Sequence, residues 1–396
     1  MDYGYERTPP RPLTLPRDFD LVFDIEAIAE DWRRFETEAI GSLYQTYLWC
    51  RAWQDTVGAA RGTEPVIVVL RDADGDLLAL LPLQIRRRHG LRILEWLASS
   101  SNNYGFGLYH ARFTARAGEW LRLNWPDIVR RIGRIDAVAL RDNPDHLSGH
   151  VNPMDRMFTT RGANRSYALT LQDDYASLYA ARREGESRRA ARKKDRALSR
   201  LGSVSFGLPA GLAETHATLE KMFKLQECRL AEHGIRNVFS AEERAFIHRL
   251  ADLQDPDKPL LAPYTLRLDG DVIATFLGGL HGGTFWALIS SLGAGPQRKC
   301  SPGDAALRGS IEACCRAGLK TYDFSAGASR YKLNWADVTI QLHDIIAPVT
   351  LRGLAYAWPL RVAIAGKRTI KENPALLDAI GRARRLVFGK SPVRPT

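Results

Sequence analysis

Two stretches nearly two hundred residues apart repeat one design: Leu70–Leu81 (LRDADGDLLALL) and Leu266–Leu277 (LRLDGDVIATFL). Each places two β-rich runs around an Asp-Gly pair, a strong local signal for a tight hairpin. The flanking elements also repeat. In the first half the pattern predicts a strand at Leu21–Phe23, helices at Ile28–Ile40 and Leu48–Val57, and a hairpin over Pro65–Leu83. A strand at Leu91–Leu97, the polar loop Ser99–Asn103, a helix at Ala117–Ile132 and a strand at Ile135–Leu140 follow. The second half predicts a strand at Val204–Phe206, a helix at Leu212–His233, a hairpin over Tyr264–Leu280 and a strand at Thr284–Leu292. A helix at Gly303–Ala317 and a strand at Leu319–Phe324 close it. A chain so ordered is an α/β (α+β) protein of two tandem, similar lobes, each a mixed, mostly antiparallel sheet flanked by helices, joined near Asn152–Arg165. Its 396 residues, 45% of them hydrophobic and 26% charged, are enough for two cores of ordinary size.

No apolar run is long enough to span a bilayer, and the start, MDYGYERTPPRPLTLPRDFD, lacks the apolar core of a signal peptide. Residues 1–18 are read as a flexible lead, and the protein is placed in the cytoplasm. Five scattered cysteines (Cys50, Cys228, Cys300, Cys314, Cys315) form no CxxC pair, and the histidines show no metal spacing, so no metal is expected. The formal net charge of +11 favours an anionic partner without choosing among nucleotide, nucleic acid, acidic glycan and lipid surface. Much of the excess lies in Arg182–Arg200 and in the tail from Arg361 onward. Within Tyr175–Leu201, Arg188, Arg189, Arg192, Lys193 and Arg196 fall largely on one side of an expected helix, which reads equally as a solvated face or an anion-binding one. The tail, Leu351–Val387, has helical stretches rich in arginine and is read either as docked on the core or as lying on an anionic membrane face.

The strand Thr284–Leu292 runs into Gly293–Asp304 (GAGPQRKCSPGD) and directly into a helix. Free N–H groups converge at such a helix start, and the helix dipole favours negative charge there. Pro302 suits the first turn, Gly303 leaves the backbone open to a pyrophosphate, and Arg298 and Lys299 add positive charge at the rim. The loop is neither a Walker loop nor a Rossmann fingerprint. The next strand ends in YDFSAGASRYKLNW (Tyr322–Trp335), bringing Tyr331 and Lys332 to the same sheet edge.

The S-P-G-x-x-x-L of Ser301–Leu307, followed by the D-F-x-x-G-x-x-x-Y-K-x-x-W of Asp323–Trp335, resembles the GNAT acyltransferases. More closely it resembles their CelD/BcsL branch, bacterial polysaccharide-associated acetyltransferases related to the FemAB peptidyltransferases. TYLWCRAW (Thr46–Trp53), ALLPLQIRRRHGLRILEWL (Ala79–Leu97) and the basic Arg188–Arg196 segment extend the likeness to roughly residues 19–348. The resemblance implies a GNAT-like lobe over 19–160, an acyl-CoA lobe over 161–348 that includes the basic helix 175–201, and a basic helical tail over 349–396. Acetyl-CoA or another acyl-CoA would be the co-substrate. The acceptor, an amine or hydroxyl of a cell-envelope or exopolysaccharide sugar, would lie between the lobes. One departure is Gln297–Gly303: Cys300 stands where typical GNAT loops have their first glycine, and Pro302 removes a donor.

Acyl transfer needs a positioned thioester, a deprotonated acceptor and a stabilised thiolate. Tyr331 is the expected thiolate partner and Asp323 the candidate general base, with packed aromatic and loop cap as the plainer roles. Arg298, Lys299, Ser301, Gly303, Asp304 and Lys332 are the candidate acyl-CoA contacts. Trp49, Tyr104, Arg188 and Arg192 are the candidate acceptor contacts, although the helical spacing of Trp49 and Trp53 favours core packing. His281, in a predicted His-Gly-Gly turn, is read as structural. No G-x-S-x-G elbow or paired cysteine points to a covalent intermediate. Two other classes fit less of the sequence: an aminoacyl-tRNA-dependent FemAB-like transferase, and a non-catalytic scaffold tied to a polysaccharide synthase. Nucleic acid is not expected as a partner, and the inner face of the membrane is a possible resting place.

Overall fold

A computed structural model describes residues 15–232 and 239–373. The first half runs β1 (Asp20–Val22), α1 (Ala29–Phe35), α2 (Tyr47–Trp53), α3 (Ala59–Arg61), β2 (Glu64–Arg71), β3 (Leu77–Arg88), β4 (Leu91–Trp96) and β5 (Leu108–Tyr109). It continues through α4 (Ala111–Ile132), β6 (Ala137–Pro144), the short pair β7 (His146–Leu147) and β8 (His150–Val151), and β9 (Thr160–Thr170). Then come α5 (Tyr175–Arg182), α6 (Gly185–Ser199), β10 (Val204–Gly207), α7 (Leu212–Glu232), α8 (Ala241–Leu253), β11 (Leu261–Leu268), β12 (Asp271–His281) and β13 (Thr284–Leu292). The described chain ends with α9 (Pro302–Arg316), β14 (Thr321–Ala326), α10 (Arg330–Trp335), β15 (Val338–Pro348) and α11 (Leu351–Glu372). Much of the predicted tail lies outside the described residues, as do the lead through residue 14 and His233 at the end of the predicted α7.

The hairpins form where the Asp-Gly pairs are. In β11–β12, Asp269 and Gly270 both take positive φ, +50° and +85°, the type I′ geometry whose twist suits paired strands. Both halves join one 13-stranded, mostly antiparallel sheet, ordered β1-β2-β3-β4-β6-β15-β9-β14-β13-β12-β11-β10, with β5 on β3. Each half contains one parallel pair, β4 with β6 and β13 with β14.

The centre of that sheet differs from a simple tandem. β9 follows the first half in sequence but pairs with β14 of the second; β15 follows the second half but pairs with β6 of the first. β9 and β15 also pair with each other. The stretch Asn152–Arg165, read from sequence as a junction, therefore holds the beginning of a central strand. The long basic helix also divides: Arg183 and Glu184 leave helical geometry between α5 and α6.

One apolar cluster runs across the seam. It joins Trp49, Trp53, Leu43 and Tyr44 of the first half to Phe223, Phe246, Leu250, Leu277 and Trp286 of the second. A second cluster, on the other face, packs Leu307, Ile311, Cys314 and Cys315 of α9 against Phe276, Phe285 and Tyr322. The two cysteines are thus core residues, as the helix stripe predicted.

Candidate active site

The parallel strands β13 and β14 pair at only three positions, Thr284–Thr321, Phe285–Tyr322 and Trp286–Asp323. Beyond Trp286, β13 keeps to β12, while β14 pairs with β9 through a register shift between Asp323 and Ala326. The strands part, and Asp323 occupies the last rung before the gap. Ser325, held at φ +66°, donates its hydroxyl hydrogen bond across the gap to the Ala287 carbonyl. A non-glycine residue in that region is strained, which marks the parting point as a place with a requirement beyond packing.

Asp323 is almost fully buried. The Tyr104 hydroxyl donates to its Oδ2 at 2.6 Å and also meets Ser166 Oγ of β9; the Ser325 N–H donates to Oδ1 at 2.6 Å. Burial pushes the carboxyl up from 3.8 to about 6, against the opposing pull of these hydrogen bonds and of the nearby Lys332 charge. Burial likewise brings Lys332 down from 10.5 to about 8, although Asp323 acts to raise it. Lys332 Nζ donates to the carbonyls of Ser325 and Ala326 at 3.1 and 3.0 Å. Above the carboxyl, Tyr44 and Tyr104 stand edge-on to Trp286, with centroids 5.9 and 5.7 Å apart. Proximity to Asp323 adds to burial in raising both phenols, Tyr104 well above 10. The centre is thus assembled from both halves: Tyr44 and Tyr104 from the first, Asp323, Ser325 and Lys332 from the second, and Ser166 from the exchanged strand.

The loop between β13 and α9 forms the second feature. Ser301 takes φ +53° and ends a short 3-10 turn, Pro296–Cys300; its carbonyl then accepts the Asp304 and Ala305 N–H groups. A Cβ at Gly303 would meet only Leu292 Cδ1, at 3.9 Å, so the backbone there is open to an approaching anion. The basic helix α6 lies against this loop: Lys194 Nζ donates to Ser301 Oγ at 2.9 Å. Arg308 of α9 grips both oxygens of Asp195 on α6, at 3.1 and 2.6 Å. Asp304 is occupied by Arg308 at 3.0 Å and Arg183 at 3.3 Å, and Arg298 pairs with Glu232 at 2.8 Å. Lys299 is exposed.

Of the remaining expected residues, Tyr331 stands on α10, 37% exposed, with its ring edge-on to Phe324. Trp49 is a core residue, its Nε1 donating to Asn102 Oδ1 at 2.8 Å and its ring edge-on to Phe246. Arg192 is exposed, whereas Arg188 is half-buried, and its Nε has no partner among the described residues. His281 ends β12 before the Gly282–Gly283 turn, where burial lowers its pKa from 6.5 to about 4. Among the described residues, no group of three or more His, Cys, Asp or Glu is placed to hold a metal ion.

Sequence reading missed Tyr44, Ser166, Ser325, Arg183 and Lys194, which gather only through the seam and the loop. It also missed a cavity in the first half. The parallel strands β4 and β6 pair at Ile93–Ala137 and Leu94–Val138 and then part, as β13 and β14 do. A cavity of about 480 Å³ lies there, lined by Arg61, Arg86, Arg88 and Arg141 with Glu95 and Tyr356 among other residues. The run Arg86–Arg88 was the available signal, with alternate residues of β3 facing the same way.

Residues 185–333 match a family described as an acetyltransferase (GNAT) domain. No curated protein matches the chain. Among solved structures, FemX is similar over 83% of this chain and 97% of its own, at 10% identity and a TM-score of 0.59. A conserved protein of unknown function from Bacteroides thetaiotaomicron follows over 84% and 100%, at 11% identity and 0.52. The C-terminal domain of a putative lysylphosphatidylglycerol synthetase from Agrobacterium fabrum matches over 87% and 99%, at 10% identity and 0.51. Such low identities speak for the fold. The chain is a mixed α/β protein whose residues 185–333 are similar to an acetyltransferase (GNAT) domain.

Proposed function

We propose that the protein is an acyl-CoA-dependent acyltransferase acting on an amine or hydroxyl of a cell-envelope or exopolysaccharide sugar, in the manner of the CelD/BcsL branch. The observation that carries this reading is Asp323: a buried carboxyl, raised to about 6, at the point where β13 and β14 part. A base with that pKa is mostly deprotonated at neutral pH and still able to accept a proton.

The co-substrate would supply the acyl thioester. The open backbone at Gly303, with Ser301, Lys299 and the Arg298 rim, suits its pyrophosphate. Asp304 and Lys332 serve that site from behind, one anchoring Arg183 and Arg308, the other holding the strand end beside Asp323. The acceptor approaches from the 19–160 side of the 161–348 lobe, with the arginine-lined cavity suited to an acidic group on the sugar and Arg188 and Arg192 flanking the donor loop. As the acceptor lone pair attacks the thioester carbon, the C–S bond breaks. Asp323 takes the acceptor proton, and the Tyr331 hydroxyl gives a proton to the departing thiolate. Tyr104 holds Asp323 in place from a core position, and Trp49 supports that wall.

Calorimetric titration with acetyl-CoA, repeated on Gly303→Glu, tests the reading. Binding by the wild type and its loss in the variant are expected. No binding by the wild type overturns acetyl-CoA as the donor and turns attention to longer acyl-CoA donors and to aminoacyl-tRNA, for which the exposed Arg189, Arg192, Lys193 and Arg196 of α6 provide a basic face.

A further inference from the structure

α11 is apolar on two opposite faces. Its inner face is fixed to the sheet: Gly353, Ala357 and Ile364 are buried, and a Cβ at Gly353 would lie 1.8 Å from the Asp136 carbonyl. The Thr350 hydroxyl caps the helix by accepting the Gly353 N–H at 3.2 Å. Arg352 donates to the Gly90 carbonyl at 2.9 Å, Arg361 to that of Ile346 at 2.8 Å and Arg368 to that of Arg161 at 3.2 Å. These contacts set the rotation of the helix. They leave Leu351, Leu354, Trp358 and Val362 in one outward row, 87%, 48%, 68% and 50% exposed. Their spacing of three, four and four residues makes a continuous stripe. A docked helix normally turns polar residues to water, so an ordered apolar row centred on a tryptophan marks a surface that has a partner.

The charge around the row indicates which partner. Arg352 and Lys367 are exposed on the same helix. The Arg352 contact brings the α11 start to the β3–β4 turn, where Arg88 and His89 are also exposed. The acid on α11, Glu372, is at its far end, facing Arg161 and Arg368. Beyond residue 373 the sequence adds Arg382, Arg384, Arg385, Lys390 and Arg394 against Asp378. Tryptophan and leucine on one side with arginine and lysine at the margins is the composition of a helix that lies in the headgroup region of an anionic bilayer. No helix among the described residues is long and apolar enough to cross a membrane. We propose that the outer face of α11 docks the protein on an anionic lipid surface, with Leu351, Leu354, Trp358 and Val362 entering the interface. The proposal goes beyond the acyl-transfer reading and does not depend on it, since its readout is lipid binding.

The experiment is sedimentation of the full chain with vesicles of phosphatidylglycerol and phosphatidylcholine, against vesicles of phosphatidylcholine alone. The wild type is expected to pellet with the anionic vesicles and to be released by salt. The variant Leu354→Gln/Trp358→Ala/Val362→Gln is expected to bind at least about tenfold more weakly. Because these side chains face outward, its circular dichroism and thermal unfolding should match the wild type, which separates lost docking from lost fold. The proposal is overturned if the wild type ignores anionic vesicles or the triple variant binds them equally well. A wild-type dimer that becomes monomeric in the variant, with no lipid binding by either, would assign the face to a second copy and overturn it too. Lipid binding that appears only after residues 374–396 are removed would assign the face to the chain's own end, with the same result.

Discussion

At Asp323, two effects oppose each other. Removal from water raises the carboxyl, while Tyr104, the Ser325 N–H and Lys332 lower it, and burial prevails. Asp323→Asn is therefore expected to lower kcat by roughly 100-fold or more, the usual share of a general base. In the wild type the rate should rise with pH through about 6, as the carboxyl loses its proton. Stability should follow the opposite course. The folded pKa lies above the ordinary 3.8, so the folded state binds this proton more tightly, and the contribution is fully present below 3.8 and lost as pH rises through about 6. Asp323→Asn should thus be more stable than the wild type above that range, by at most about 3 kcal/mol, with the gain vanishing in acid. Urea unfolding at several pH values would measure it. Tyr104→Phe removes the hydrogen bond to Oδ2, so its pH–rate midpoint should move upward. A merely packed tyrosine would leave the midpoint where it is.

Between residue and molecule, the decisive contact is α6 on α9. Arg308 is mostly buried and joins Asp195 of α6 to Asp304 in the first turn of α9. Its loss leaves the Asp195 carboxylate without this cation and Asp304 with Arg183. Arg308→Ala should cost on the order of 1–3 kcal/mol and raise KM for acyl-CoA more than it lowers kcat, because α6 supports the loop rather than the reacting atoms. Denaturant unfolding and steady-state kinetics would read the two effects. Sequence reading located the basic run and recognised an anion-facing option, but not its break at Arg183–Glu184. Alanine and arginine favour a helix on both sides of the break, Gly185 beside it does not, and the bend sets Arg183 3.3 Å from Asp304. α8, with its Ser240–Glu243 capping box, and the central strands β9 and β15 also went unmarked. In β9 the polar run of Arg161, Asn164 and Arg165 obscures the alternation that identifies a strand, whereas Val338–His343 of β15 (VTIQLH) alternates cleanly and carried a legible strand signal.

Across the whole molecule, the pairing of β15 with β6 makes the halves interdependent. A cut at 160/161 would part β6 from β15, exposing a hydrogen-bonding edge on each piece, while β9 stays with β14 and β15 in the second. Thermal unfolding of the full chain is expected to be one cooperative transition. Residues 161–396 expressed alone should be poorly soluble and recover when co-expressed with residues 1–160. Two well-separated calorimetric transitions would contradict this coupling.

By itself the sequence determined the elements whose cause is local. The Asp-Gly hairpins, the helix starting at Pro302, the buried stripe of α9 and the glycine-opened loop all follow from turn geometry, helix capping and short-range periodicity. Tertiary structure decided what depends on long-range pairing. It placed Tyr104 against Asp323, 219 residues away, turned Lys332 inward, opened an arginine-lined cavity in the first half and faced the apolar row of α11 outward. The physical reason is that burial sets a carboxyl's affinity for protons and a helix's rotation, and burial is settled only when distant strands pair.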